Sequence, residues 1–248
     1  MKLLLERGDV DPDSPDKQGR TPLSFVSEGL TRTPSGSGML VQPLVASRVD
    51  CIVRLLLERG DVNPDSPDSN GRTPLSFAAE KGREGVVRLL IEREDIDPDS
   101  SDCNGQTPLL LAAAGGYQGV VELLLQRGGV NPNWPDRNGH TPLSFAAKGG
   151  HESVVKLFLE HGEVNPDLPD TKGQTPLLFA AAGGYQGVVE LLLQRRDVNP
   201  NQSDSNDHTP LSLAAAGGHE VIVRLLLGRG DVDPNSVNSD SQTPLSLA

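Results

Sequence analysis

His140 and Ser144 are the residue types that a nucleophile and its general base require, and His151 and His219 could ligate a metal or move a proton. None of these fills a solitary position. His140 and Ser144 each occupy a slot that recurs along the chain, and Tyr117 holds the slot of His151 and His219 in another stretch. Asp11, Asp13 and Asp16 suggest Ca²⁺, yet the Ca²⁺-loop pattern with its distal bidentate glutamate is missing, so these acids read as turn caps. Gly115-Gly116 and Gly149-Gly150 lack the following Lys-Ser/Thr of a phosphate loop. Cys51 and Cys103 have no metal-site spacing and read as reduced thiols. Catalysis needs side chains converging on one cleft, and the sequence offers no such set. The expectation is no catalytic residue, no metal and no cofactor.

The polar residues recur because the chain repeats. Thr-Pro stands at Thr21, Thr73, Thr107, Thr141, Thr175, Thr209 and Thr243, and after the first step the spacing is 34 residues. Residues 68–101 give the clearest unit. Asp68-Ser69-Asn70-Gly71 is turn chemistry, since Asn and Asp bond their own backbone and Gly accepts positive φ. Thr73 can cap a helix, and Pro74 at its first position gives up a donor that had no partner. Leu75, Phe77, Ala78 and Ala79 make a short helix. Gly82 turns the chain, and Val86, Val87, Leu89, Leu90 and Ile91 make a second, more apolar helix that cannot continue through Pro98. Such short helices are marginal alone, and stacked neighbours bury their apolar faces in one core. Roughly seven units are expected.

The chain resembles the ankyrin repeat family, whose units read D-x-x-G, T-P-L-H-x-A-A, a G-H turn, V-V-x-L-L-L and a D-V-N finger. Asp and Gly fall at 16/19, 68/71, 102/105, 136/139 and 170/173, and Gly150-His151, Gly218-His219 and Asp61-Val62-Asn63 fit as well. The resemblance implies an all-α fold, an α-solenoid of stacked helix-turn-helix ankyrin repeats with extended, hairpin-like fingers. It covers the chain outside 30–49. The expected layout is a single solenoid over 1–248, with a partial unit at 1–15, units starting near 16, 68, 102, 136, 170 and 204, and a partial unit at 238–248. The family histidine of T-P-L-H is replaced by Ser24, Ser76, Leu110, Ser144, Leu178 and Ser212, so its hydrogen bond must be replaced or lost. Each finger is two residues longer than the family's, with one residue missing before it. The turn glycine becomes Asp207 and Ser241 in the last two units, which makes the last finger the expected loosest.

The step from Thr21 to Thr73 is 52 residues, 18 more than the period. The excess falls at 30–49, where Thr33-Pro-Ser-Gly-Ser-Gly38 reads as loop and a helix is expected to start near Pro43 or Leu44. A tolerated surface loop, a binding loop and a short intron translated in frame all account for it. The chain opens within a second helix and stops within a first one, so it reads as a piece of a longer repeat protein, and its blunt ends are suited to end-to-end self-association.

The net charge of −12 disfavours nucleic acid and anionic membrane surfaces as partners. No apolar run of 18 residues is present, and Leu3-Leu4-Leu5 is repeat sequence rather than a signal peptide. A cytoplasmic location is expected, with the nucleus possible.

Positions that vary between units are the candidates for function. Before each Thr stand Arg72, Gln106, His140, Gln174 and His208, and the turns carry Arg137 and Lys172. One first-helix slot holds Phe77, Leu111, Phe145, Phe179 and Leu213, and one finger slot holds Trp134 and Leu168 where other units have Ser or Gln. The family's geometry implies that these line the edge of a concave face, where apolar anchors in a polar rim suit a protein partner. For the phenylalanines, packing between units is the competing role. Residues 105–127 and 173–195 differ only at Leu111 versus Phe179, within that slot. The resulting expectation is non-catalytic protein recognition. The alternatives are a scaffold or adaptor that tethers an enzyme to its substrate, a fragment of a larger receptor-like ankyrin protein, and a non-functional gene fragment. Units of this pattern are typical of large fungal ankyrin arrays, and that resemblance implies sensor regions of receptors with an upstream nucleotide-binding module.

Overall fold

The structure, a computed structural model, describes residues 9–29 and 42–248. The first eight residues and most of the 30–49 insertion lie outside the described residues, and with them the expectations placed there. The chain divides into two compact units, Met1–Asn131 and Pro132–Ala248. Among the described residues every regular element is a helix.

The first unit holds α1 (Pro22–Glu28), α2 (Gln42–Leu57), α3 (Pro74–Glu80), α4 (Glu84–Ile91), α5 (Pro108–Ala114) and α6 (Gln118–Gln126). First helices pack in one row, α1 on α3 on α5, and second helices in another, α2 on α4 on α6. The second unit repeats the pattern with α7 (Pro142–Lys148), α8 (Glu152–Glu160), α9 (Pro176–Gly183), α10 (Gln186–Leu193), α11 (Pro210–Ala216), α12 (Glu220–Leu227) and α13 (Pro244–Leu247). There α7, α9, α11 and α13 form one row and α8, α10 and α12 the other. The helix expected near Pro43 or Leu44 begins at Gln42.

The start of each first helix follows from its Thr-Pro. All seven threonines sit in extended backbone with the side chain accepting the amide hydrogen bond of the residue three ahead, a cap that contributes about 1 kcal/mol each. At three of the serines that replace the family histidine the hydroxyl donates to the threonine carbonyl, Ser76 to Thr73 at 2.8 Å and Ser144 to Thr141 and Ser212 to Thr209 at 2.9 Å, while the Ser24 hydroxyl lies 3.2 Å from the Thr21 hydroxyl. Leu110 and Leu178 have no such group and keep only the amide bond to the cap. Both leucines are fully buried, so apolar burial stands in their units where the hydroxyl bond stands in the others.

Alanine pairs let first helices approach. Ala78, Ala79, Ala112 and Ala113 in the first unit and Ala146, Ala147, Ala180 and Ala181 in the second are all inaccessible to solvent. Val86, Val87, Leu90, Val120, Val121 and Leu124 fill the layer beneath in the first unit, as Val154, Val155, Phe158, Val188, Val189 and Leu192 do in the second. The turn rings serve the same packing. The Tyr117 ring lies against Gly82 and Gly115, and Tyr185 against Gly150 and Gly183. His219 packs on Gly184 and Gly217 with Nε2 3.2 Å from the Ala182 carbonyl. This is a structural use of the slot.

Fingers are tied across repeats by two rows of side chains. Arg93 donates to the Leu57 carbonyl, Arg195 to Leu159 and Arg229 to Leu193, each capping the second helix of the preceding repeat. The same guanidinium groups bond Asp95, Asp197 and Asp231, holding these carboxyls below the usual range. The second row lies in the finger itself. Asn133 Oδ1 accepts from Asn165 N at 2.9 Å while its Nδ2 donates to the Glu163 carbonyl at 2.7 Å. Asn201 does the same with Asp233 N and the Asp231 carbonyl. Asp65, Asp99 and Asp167 occupy this slot in other repeats and accept through Oδ2 from Asp97, Asn131 and Asn199. Their Oδ1 atoms are buried without a hydrogen-bond partner.

Candidate functional site

The finger tips are hairpin turns built on one aspartate each, with Asn238 in that place in the last. Asp136 Oδ1 accepts from the amides of Asn138 and His140, both at 2.8 Å, and Asp170 Oδ1 from those of Lys172 and Gln174 at 2.8 Å. Adjacent tips join through backbone: Ser69 N to Gln18 O and Cys103 N to Asn70 O in the first unit, and Thr171 N to Asn138 O, Ser205 N to Lys172 O and Ser239 N to Asn206 O in the second. The turn closes on a left-handed residue. Gly139 has φ +84, and Asp207 and Ser241, which replace that glycine, have φ +60. A Cβ on Gly139 would meet the Thr171 nitrogen at 2.9 Å.

Between tip and first helix lies the residue that precedes each threonine, and its identity sets the local chemistry. In the first unit Arg72 bonds the Asp68 carboxylate at 3.1 Å, lies 4.0 Å from Glu80 and stacks its guanidinium 4.3 Å above the Phe77 ring. Arg20 repeats this with Asp16, Glu28 and Phe25. Phe77 is left 1% exposed. Its expected role as a contact residue meets a plain obstacle: the ring is packed away beneath Arg72 and offers no surface.

In the second unit His140 takes the arginine's place. Its Nδ1 is 3.2 Å from Asp136 and its Nε2 3.3 Å from Asp170, two carboxylates that are themselves buried. The imidazole also lies 5.1 Å from the Phe145 ring and 5.7 Å from the Phe179 ring, with tilted planes. His140 is therefore a brace between two tips and two aromatic rings, and no serine hydroxyl is among its partners. His208 makes the shorter version, 3.3 Å from Asp204.

Leu111, Phe145, Phe179 and Leu213 are half-buried, so each shows one edge of its side chain. Gln106 and Gln174 are half-buried, while Arg137 and Lys172 project from their turns. Trp134 is 42% exposed, whereas Leu168 in the same finger slot is half-buried. Ser236, one repeat beyond Gln202 in that slot, reaches the Thr209 hydroxyl at 3.3 Å, which puts it at the start of α11. Lys148, absent from the sequence-level candidates, ends α7 exposed with Nζ 5.3 Å from the Phe179 ring. Its signal was available: Glu28, Glu80 and alanines hold its slot elsewhere.

Among the described residues no three His, Cys, Asp or Glu side chains gather as a metal site, and no helix is long and apolar enough to cross a membrane. Cys51 and Cys103 are free and exposed.

Family models described as ankyrin repeats match residues 44–136, 128–204 and 192–248. No curated protein sequence matches. Among solved structures, the crystal structure of the ankyrin repeat domain of Bcl-3, titled a unique member of the IkappaB protein family, is 27% identical. That match covers 94% of this chain and 95% of the other, with a TM-score of 0.72. The seven threonine caps, the alanine-lined helix pairs and the aspartate-built tips thus agree with the family models, and the chain belongs to the ankyrin repeat family.

Proposed function

We propose that the chain is a non-catalytic recognition module that binds a protein partner through its finger tips and the exposed edges of its first helices. One observation carries this reading. The variable slots hold half-exposed Leu111, Phe145, Phe179 and Leu213 beside polar tips, while the slots that repeat are buried or satisfied internally. Apolar edges ringed by polar, adaptable groups are the material of interface anchors. Ankyrin repeats are protein-interaction modules in general.

The near-identity of 105–127 and 173–195 supplies the test, because the sequence itself offers leucine as a tolerated residue at the Phe179 slot. Phe179→Leu should lower affinity for a partner recovered by proximity labelling by about three- to tenfold, as loss of an aromatic edge does. The thermal midpoint should stay within about 2 °C of the parent. Unchanged affinity at an unchanged midpoint would count against the Phe179 edge as an anchor.

A further inference from the structure

Charge is distributed differently on equivalent surfaces of the two units. In the first unit the cations beside the aromatic slot are neutralised: Arg20 pairs with Asp16 and Glu28, and Arg72 with Asp68 and Glu80. In the second unit the acids of this region are used up. Asp136 and Asp170 are buried, each accepting two backbone amides and facing one nitrogen of His140. Lys148 stands where the first unit has Glu28 and Glu80, and Arg137 and Lys172 project from neighbouring tips. Among the described residues no carboxylate lies within ion-pair distance of Arg137, Lys148 or Lys172.

These cations frame an apolar centre. Lys148 Nζ is 5.3 Å from the Phe179 ring, and His140 joins Phe179 to Phe145 and, through Asp136 and Asp170, to the two tips that carry Arg137 and Lys172. In a chain of net charge −12 such a cationic strip is against the prevailing sign. Like charge elsewhere on the surface repels an acidic partner, and this strip is where its approach is favoured.

We propose that the strip formed by Arg137, His140, Phe145, Lys148, Lys172 and Phe179 receives an acidic peptide segment that places one aromatic or aliphatic side chain against the Phe145 and Phe179 edges. The assignment rests on the recognition reading above and adds the chemistry of the partner. The carboxylates of the segment pair with the two tip cations and with Lys148, and the apolar side chain between them covers the ring edges. Pairs at the rim of an interface act mainly on encounter and specificity, so affinity should fall as salt rises.

The test is selection of a random twelve-residue peptide library on the full 248-residue chain, followed by anisotropy titration of the enriched peptides. Two variants serve as probes: the triple Arg137→Glu, Lys148→Glu, Lys172→Glu, and Phe179→Asp. All three cations are exposed, and circular dichroism melting verifies that the triple variant stays folded. The expected result is peptides rich in Asp and Glu around one apolar residue, bound at least about tenfold more weakly by the triple variant and weakened by salt. Peptides without acidic bias that are lost with Phe179→Asp would overturn the acidic partner while leaving the recognition reading in place. No enrichment, or peptides indifferent to both variants, would overturn both.

Discussion

Changing Asp65, Asp99 and Asp167 together to asparagine should raise the stability of the folded chain at pH 7 by roughly 3 kcal/mol, or about 1 kcal/mol per site. The reason is written into the chain's own repeats. Asn133 and Asn201 use both amide atoms, one accepting the backbone N–H of the next finger and one donating to its carbonyl. Aspartate in the same slot satisfies only the first of these, and its Oδ1 is buried without a partner. Where the asparagines donate to the carbonyls of Glu163 and Asp231, an aspartate oxygen has no proton to give. The side chains as a whole are half-buried, which keeps the gain near the low end for a buried unsatisfied group.

The same geometry fixes a pH dependence. Burial pushes the carboxyls of Asp65, Asp99 and Asp167 above their ordinary value of 3.8, with Asp97 adding to the effect at Asp65 and Asp99, and Asp197 at Asp167. In the window between 3.8 and the raised values the folded state binds these protons and the unfolded chain does not, so stability rises as pH falls through it. Below that window Asp61, Asp95, Asp197 and Asp231, held low by hydrogen bonds from Arg59, Arg93, Arg195 and Arg229, are protonated in turn and stability is lost. Urea midpoints should therefore peak in mildly acidic solution. The triple asparagine variant should be nearly flat from pH 7 down to that region, with a small residual slope from Asp50, whose carboxyl burial also raises. An unaltered pH profile in the variant would refute the account of these rungs.

Gly139→Ala should cost about 2 kcal/mol or more, because it combines a left-handed backbone with a collision. At φ +84 a methyl group is disfavoured in itself, and here it would stand 2.9 Å from the Thr171 nitrogen, which is bonded to the Asn138 carbonyl. Relief would require the tips of two repeats to separate. The converse change is informative. Ser241 sits at φ +60 in the equivalent turn, so Ser241→Gly should stabilise by about 1 kcal/mol. Chemical denaturation checks both. Equal and small effects at the two positions would mean that the tips are not held in the described turn.

Much of this was legible in the sequence because the determinants are local. Thr-Pro followed by an apolar and alanine-rich stretch specifies a capped first helix, and an aspartate three residues before glycine specifies the turn. The long-range rows escaped notice. The finger aspartates read as turn caps, and Asp13, Asp65 and Asp97 do bond amides nearby or in the adjoining repeat. What separates Asp65 from Asn133 is a carbonyl in the next repeat, and no window of one unit contains it. The arginine row at 59, 93, 127, 195 and 229 follows the 34-residue period, with His161 in the one place between, and is legible as a recurring cation. Exposure of the aromatic slot was not legible at all. Phe77 and Phe145 occupy the same position of the same pattern, yet one is sealed under a guanidinium and the other shows an edge beside an imidazole. The residue five places earlier does not decide this alone, since Phe25 lies beneath Arg20 and is still half-buried, so the outcome depends on partners in space.

The central claim is that recognition belongs to the tips and first-helix edges, with the second helices serving as frame. The most direct measurement compares two charge-altered variants of the 248-residue chain by quantitative recovery of cross-linked cellular partners. One carries Trp134→Ala, Arg137→Glu, Lys148→Glu and Lys172→Glu on the tip and first-helix side. The other carries Glu122→Lys, Lys156→Glu, Glu160→Lys and Arg224→Glu on exposed positions of the second helices. The account predicts that the first variant loses the partners that the unaltered chain retains and that the second keeps them. Retention by the first variant together with loss by the second would contradict it.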